Sequence, residues 1–334
     1  MNKEDIKSIV ELLANPKRIA IIPHRSPDGD AMGSTLALYH FLLKLNHVPT
    51  VIAPNEFPDF LAWMPGSEKV LIYENDRENT SKILQDAEVI FTLDFNALHR
   101  TGEMEKVLSQ LQVPFVMIDH HQSPESYAAF TYSDTNFGST CEMIYNFISF
   151  LDKKQIIDKT IATCLYTGIL TDSGSFRFPK TTGTTHRIIA DLIDLGVENT
   201  QIPIWLFDNS SYNSVQLLGR ALQNMIVIPE RKTAYITLSQ KELDEFRYQK
   251  GDTEGIVNYG LSIKGIHLAA IFIEHRDENI IKISFRSQGN FDVNQFARNH
   301  FNGGGHINAA GGKSYENMEN TVSKFKNLLS AITI

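Results

Sequence analysis

Within its first 120 residues the chain carries four short apolar runs: Arg18-Ile19-Ala20-Ile21-Ile22, residues 48–53, residues 89–93, and Val113-Pro114-Phe115-Val116-Met117-Ile118. Runs without polar alternation suit strands buried on both faces. Between them lie segments with helical spacing, after Asp30 through Leu36, Leu38, Phe41, Leu42 and Leu45, and at 81–87 and 101–111; another helix is predicted at 5–14 and another strand at 69–73. Strands alternating with helices predict an α/β fold in which a parallel sheet has helices on both faces.

Parallel strands bring their carboxyl ends to one rim, where open α/β sheets bind ligands. Here that rim is rich in acids and imidazoles. The first run leads into His24-Arg25-Ser26-Pro27-Asp28-Gly29-Asp30, the third into Asp94, and the fourth into Asp119-His120-His121. Pro27 and Gly29 sharpen the first loop, so the H-x-x-x-D-x-D spacing lets one imidazole and two carboxylates converge; the same residues also suit an Asx-turn and a helix N-cap. Asp172 follows a helix predicted at 156–170 and is the one candidate outside the strand ends. Carboxylates with one or two imidazoles suit Mn²⁺ or Mg²⁺ better than structural zinc. Two such ions about 3.5–4 Å apart, sharing a carboxylate and a water, can bind a phosphoryl oxygen, generate hydroxide and stabilise in-line displacement.

Helices predicted at 139–151 and 184–195, the second stopped by Gly196, complete a first domain over residues 1–196. Residues 197–214 read as a connector, and 215–334 as a smaller α+β domain. Its predicted strands are 225–228, 233–238, 267–274 and 280–285, the last two joined by a turn at Asp277-Glu278-Asn279. Its predicted helices are 215–224, 293–301 and a closing segment. Gly303-Gly304-Gly305 permits close backbone approach and can present amides to a phosphate. Arg286 and His306 would add a guanidinium clamp and a further donor. Tyr259, Phe291 and Phe296 suit either base stacking or the core.

Charge is divided unevenly. Residues 1–214 hold 17 Lys and Arg against 27 Asp and Glu, whereas 215–334 hold 14 against 12. An acidic first part suits a cation site, and the whole disfavours a broad footprint on duplex DNA. No apolar stretch reaches the ~20 residues of a membrane span, and the start Met1-Asn2-Lys3-Glu4-Asp5 lacks the pattern of a secretory signal, so a cytoplasmic location without membrane partners is expected. Cys141 and Cys164 are the only cysteines and have no C-x-x-C spacing, which removes thiolate zinc ligation and a disulfide scaffold.

Four segments, His24 to Ala31, Leu93-Asp94, Asp119-His120-His121, and Thr167-Gly168-Ile169-Leu170-Thr171-Asp172-Ser173-Gly174-Ser175-Phe176, together resemble the motifs of the DHH phosphoesterase superfamily. Phe285-Arg286-Ser287, Asp292-Val293 and Gly303-Gly304-Gly305-His306 with Ala309-Ala310-Gly311 resemble its DHHA1 domain. The arrangement looks most like the branch of bacterial oligoribonucleases that are also 3′-phosphoadenosine 5′-phosphate phosphatases. That resemblance implies two Mn²⁺ ions, with Mg²⁺ as an alternative. His24, Asp28 and Asp94 would hold one, and Asp30, Asp94, His120 and Asp172 the other, with Asp94 as the bridge. Asp94, Asp119, His120 and His121 would form the catalytic group, His121 facing the substrate phosphate and Asp119 orienting a histidine. Arg286, Gly303, Gly304, Gly305 and His306 would grip the substrate.

The implied activity is 3′-to-5′ degradation of short single-stranded RNA and removal of the 3′-phosphate from 3′-phosphoadenosine 5′-phosphate by dimetal-hydroxide attack. Rival readings are a phosphodiesterase for cyclic dinucleotides or linear pApA, and an inactive nucleotide-binding regulator. A homodimer is left open. One departure stands out: Asn302 occupies the place of a fourth glycine, and asparagine tolerates left-handed backbone geometry. Arg100 either reaches a phosphate or begins a helix.

Overall fold

Six strands form the sheet of the first unit: β1 Arg18–Ile22, β2 Val48–Ala53, β3 Leu71–Ile72, β4 Val89–Leu93, β5 Phe115–Asp119 and β6 Phe130–Ser133. All are parallel, in the order β3-β2-β1-β4-β5-β6. The computed structural model describes residues 1 and 3–331, and the chain divides between Asn209 and Ser210 into two units. The apolar runs lack alternation because both sheet faces are covered. Ile19, Ile21, Phe91 and Ile118 pack into one core with the helices Gly29–Lys44, Thr140–Phe150 and Lys159–Asp172; Ala20, Ile22, Ile90 and Phe115 pack into the other with Leu84 and Leu108. Each of these leucine, isoleucine and phenylalanine side chains contributes about 1.5–3 kcal/mol.

Several boundaries differ from the predicted ones for local reasons. The 69–73 strand shortens to two residues. The 101–111 helix is broken: a 3-10 segment Leu98–Met104 turns at Gly102 (φ 63°, ψ −130°), and only Glu105–Leu108 is α-helical. The 156–170 helix starts at Lys159, because Asp158 accepts from the Ile161 amide, and it runs on to Asp172. Strand β6 has alternating, half-buried residues and carried no apolar run. Residues 197–214 contain the helix Gln201–Phe207 and the start of the helix Tyr212–Gln223.

The helices Gly29–Lys44 and Lys159–Asp172 cross at Gly33 and Gly168. A Cβ on Gly168 would stand 2.2 Å from Cys141 Sγ and 2.8 Å from Asp30 Oδ1, so only glycine allows this approach. The crossing brings the start of the first helix, with Asp30, beside the end of the second, with Asp172. Both cysteines are buried and unbridged.

The second unit has its own mixed sheet, in the order β11-β12-β10-β9-β8-β7, with strands β7 Ile226–Ile228, β8 Thr233–Leu238, β9 Leu268–His275, β10 Ile280–Ser287, β11 Gly304–His306 and β12 Ala309–Ser314. Only the β8–β9 pair is parallel. On one face Phe285 of β10 packs with Phe296, Phe301 and Phe325, and the other is covered by Leu217, Leu243 and Val257. The fold class is thus the expected one, a parallel-sheet α/β unit followed by a smaller mixed α+β unit. No helix among the described residues is long and apolar enough to cross a membrane.

Candidate active site

The strand order places β1 and β4 side by side at the point where that order reverses, which is where ligands of doubly wound sheets bind. His24 lies just past β1, Asp94 directly follows β4, and Asp119 ends β5 ahead of His120 and His121. Asp94 takes a left-handed backbone (φ 66°), an uncommon geometry for a non-glycine residue and one that collects at functional sites. Its amide still donates to the Ile118 carbonyl of the neighbouring strand (3.1 Å), so the turn is anchored to the sheet.

Asp94 stands at the centre. Its Oδ2 lies 3.5 Å from His24 Nε2, and its Oδ1 lies 3.3 Å from His120 Nε2. His24 Nε2 is also 3.8 Å from Asp28 Oδ2, while His120 Nε2 is 3.8 Å from Asp30 Oδ2 and 3.3 Å from Asp172 Oδ2. Two clusters therefore meet at one carboxylate: His24, Asp28 and Asp94, and Asp30, His120 and Asp172. Asp28 serves the loop twice, since its Oδ1 caps the helix by accepting from the Asp30 and Ala31 amides and Oδ2 faces His24. The capping and converging readings of this loop both hold.

Hydrogen bonds behind the rings fix which nitrogen faces the cluster. His24 Nδ1 lies 2.8 Å from the Arg25 carbonyl and His120 Nδ1 3.3 Å from the Phe137 carbonyl. A carbonyl only accepts, so each Nδ1 carries the proton and the neutral ring keeps its lone pair on Nε2. His121 Nδ1 pairs in the same way with Asp119 Oδ1 at 2.7 Å. A protonated Nδ1 cannot bind a cation, so the grouping of His121 with Asp94 and Asp119 is a hydrogen-bonded pair beside Asp94. Asp119 Oδ2 is fully buried and has no hydrogen-bond partner among the described residues.

Asp30, 1% exposed, sits at the N-terminus of the helix Thr140–Phe150. Its Oδ2 accepts from the Thr140 amide (2.5 Å) and its Oδ1 from the Cys141 amide (2.9 Å), while Thr140 Oγ1 donates to Asp94 Oδ1 (2.9 Å). Helix N-termini favour anions. Thr140 escaped sequence reasoning; its signal was the Ser139-x-x-Glu142 capping pattern, which marks a helix N-terminus able to receive a carboxylate.

The charge state reflects crowding. Burial, then the Asp94 and Asp172 charges, hold the Asp30 carboxyl well above its ordinary range. Burial also brings Asp172 up to about 7. Burial works against ionised Asp94, but hydrogen bonds from His120 and His24 outweigh it and keep its carboxyl well below the usual range. Burial pulls His120 down; its bond to Asp94 and the charges of Asp172, Asp94 and Asp30 overcome that and bring it up to about 10. His24 is raised in the same way, against burial and Arg100. Protons thus supply the positive charge that this cluster demands, and cations could supply it instead.

The remaining candidates lie in the second unit. Arg286 is near the end of β10, with Nη1 donating to the Phe285 carbonyl (3.0 Å). The glycine run is a strand, not an open loop: Gly304, Gly305 and His306 pair with Gly311, Ala310 and Ala309. The Gly305 amide donates to Asn294 Oδ1 (2.9 Å) and the Gly303 amide to the Ala297 carbonyl (3.2 Å), so these two donors serve the unit itself. Asn302 adopts φ 48°. Phe296 belongs to the core, Phe291 packs against it, and Tyr259 is exposed. Arg100 lies in the 3-10 segment, where its carbonyl accepts from the Arg25 amide (2.8 Å).

Comparison with known proteins agrees with this geometry. Residues 18–169 match the DHH family, N-terminal domain, and residues 232–332 match the DHHA1 domain. The bifunctional oligoribonuclease and PAP phosphatase NrnA of Thermus thermophilus is 30% identical over 311 residues, 92% of this chain and 88% of that protein. A probable bifunctional oligoribonuclease and PAP phosphatase NrnA of Streptococcus mutans is 28% identical over 325 residues, 97% of this chain and 98% of that one. A solved structure from Bacteroides fragilis, described as an exopolyphosphatase-related protein, is 39% identical and superposes with a TM-score of 0.94, covering 99% of this chain and 96% of that one. With an acid-rich switch point of this kind and relatives alike over nearly its whole length, the chain belongs to the DHH/DHHA1 family and is a phosphoesterase.

Proposed function

We propose that this phosphoesterase uses two divalent cations, Mn²⁺ in the first instance, to hydrolyse short oligoribonucleotides from the 3′ end and to remove the 3′-phosphate of 3′-phosphoadenosine 5′-phosphate. The observation that carries the reading is Asp94, whose two oxygens face two separate imidazole and carboxylate clusters. His24, Asp28 and Asp94 would hold one cation; Asp30, Asp94, His120 and Asp172 would hold the other. The donor set fits: it is rich in carboxylate, Nε2 carries the lone pair of each neutral ligand ring, and burial together with neighbouring carboxylates drives Asp30 and Asp172 toward protonation. When bound, the cations supply Lewis acidity and neutralise charge developing at phosphorus.

The protein's own groups do the rest. The Thr140 hydroxyl and the first two amides of its helix, of Thr140 and Cys141, hold Asp94 and Asp30 in place. Asp119 fixes the His121 ring through Nδ1, which leaves Nε2 for the substrate phosphate. Arg286, His306 and the strand Gly304–His306 form the substrate-gripping side of this reading. The NrnA relatives' names support the two substrates.

The test is a turnover panel with the Mn²⁺-loaded chain on RNAs of two to five nucleotides, pApA, cyclic diadenylate and 3′-phosphoadenosine 5′-phosphate. Hydrolysis of the short RNAs and of the 3′-phosphate is expected. Turnover confined to the cyclic compound or pApA would replace this reading by the dinucleotide phosphodiesterase, and no turnover with metal bound would leave the nucleotide-binding regulator.

A further inference from the structure

Immediately past Asp172 the backbone does something costly. Gly174, Ser175 and Phe176 take φ of 57°, 57° and 65° in succession, and left-handed geometry is a true outlier for a residue as bulky as phenylalanine. Ser173, 4% exposed, holds the turn together: its carbonyl accepts from the Arg177 and Phe178 amides, and its Oγ accepts from the Phe176 amide (2.9 Å). Phe178 closes over Gly174, where a Cβ would stand 2.5 Å from its ring. Strain of this kind persists only where the surroundings over-determine it, and it collects where a side chain must be aimed.

What the turn delivers is Lys180. Its backbone carbonyl lies 3.5 Å from where a Cβ on Gly138 would be. Gly138 sits between Phe137, whose carbonyl faces His120 Nδ1, and Ser139, which caps the helix holding Asp30. Lys180 is half-buried, within electrostatic reach of Asp172, Asp134 and Asp119, and among the described residues it pairs with none of them at contact distance. Burial lowers its affinity for a proton while those three carboxylates oppose the change. A lysine kept to balance surface charge would close onto one of its acids or extend into water. This one follows the strained turn and stands with its backbone against Gly138, at the edge of the acid cluster.

We propose that Lys180 is a phosphate-binding residue of the active site, its ammonium donating to a non-bridging oxygen of the substrate's phosphate group beside the proposed cations. This rests on the reading of the cluster as a phosphoesterase site, and it adds a substrate contact from the first unit itself. Lysine suits the task as a compact point charge with three donors on a flexible stem.

The experiment titrates inorganic phosphate into the Mn²⁺-loaded full chain by calorimetry and follows turnover of 3′-phosphoadenosine 5′-phosphate in parallel, for the wild type, Lys180→Gln and Lys180→Arg. For Lys180→Gln we expect phosphate affinity to fall at least tenfold, KM to rise by a similar factor and kcat to change less, with Mn²⁺ stoichiometry kept. Lys180→Arg should recover part of the loss. Unchanged phosphate affinity in Lys180→Gln would overturn the proposal, and so would a loss explained wholly by lost Mn²⁺, which marks Lys180 as a support for the carboxylates. If the wild type binds phosphate but turns over no nucleotide, the substrate assignment fails while the phosphate titration still decides the role of Lys180.

Discussion

At the rim of the parallel sheet, Asp30, Asp94, Asp119 and His120 are each at most 2% exposed, and the few donors that receive them, the Thr140 and Cys141 amides and the Thr140 hydroxyl, do not offset the crowding of their charges. In the glycine strand of the second unit the situation is reversed. A Cβ on Gly303 would stand 1.9 Å from the Gly311 carbonyl oxygen, and one on Gly305, with φ 152°, would stand 2.4 Å from that of Ala309. The glycines are thus demanded by the fold itself, whereas the acids and histidines work against it: carboxylates crowded out of water must be protonated or paired. A motif whose residues burden the fold is strong evidence of chemistry. A motif whose residues the fold requires is weaker evidence, however familiar its spacing.

The contrast predicts opposite outcomes for two substitutions. Asp94→Ala should lower turnover by about 10³-fold or more, because one carboxylate serves both clusters. Metal analysis should show bound Mn²⁺ dropping from two equivalents to one or fewer, in a protein that still folds. Retention of both equivalents would break the bridging role. Gly303→Ala should act on the fold instead. Forcing a methyl against a backbone oxygen costs about 3 kcal/mol, read as an earlier urea unfolding transition, while Mn²⁺ binding in the first unit persists. A Gly303→Ala chain that unfolds like the wild type but binds nucleotide poorly would show that the glycine serves the ligand, and the contrast would collapse.

Removing metal sharpens the comparison from the other side. Without cations, Asp172 titrates near 7 against a usual 3.8, His120 near 10 against 6.5, and Asp30 is also raised. Groups raised on folding stabilise fully below their unfolded values, and that contribution is lost as pH rises through the folded ones. Asp94 is depressed, so its contribution is present above 3.8 and is lost only in stronger acid, as pH falls through its folded value. Between about pH 5 and pH 9 every raised group pulls the same way. The chelated protein should therefore become steadily less stable over that span, read as a falling Tm, and added Mn²⁺ should restore more at the high end than at the low. A flat profile for the chelated protein would mean that the cluster is relaxed without metal.

Much of this was visible in the chain because the signals were local. Continuous apolar runs announced strands buried twice over, and the parallel sheet then carried His24, Asp94 and Asp119 to one rim by topology alone. Asp172 was placed through motif resemblance, since its position depends on two helices crossing at Gly33 and Gly168, a contact distant in sequence. Thr140 was overlooked for a similar reason: its amide and hydroxyl matter only once the fold sets a helix N-terminus against Asp30 and Asp94. The glycine run misled in detail, because three glycines in sequence look alike whether they open a loop or let strands β11 and β12 close on each other. Gly102 is a helix breaker whose signal the surrounding helical periodicity masks.

Asn302 gives the smallest effect and the finest discrimination. Its φ of 48° is a geometry that asparagine tolerates and that alanine enters at a cost of about 1–2 kcal/mol, and its Nδ2 reaches the Lys313 carbonyl only at 3.4 Å. Asn302→Gly relieves the residual strain but gives the unfolded chain more freedom, two terms that nearly cancel, so stability should move by no more than about 0.5 kcal/mol. Asn302→Ala should destabilise by about 1 kcal/mol. If the position serves only the turn into β11, nucleotide affinity in the glycine variant will match the wild type, placing Asn302 with Gly303 and Gly305 among residues explained by the fold. A several-fold change in affinity at unchanged stability would move it to the other side of the comparison, as a contact that the substrate feels.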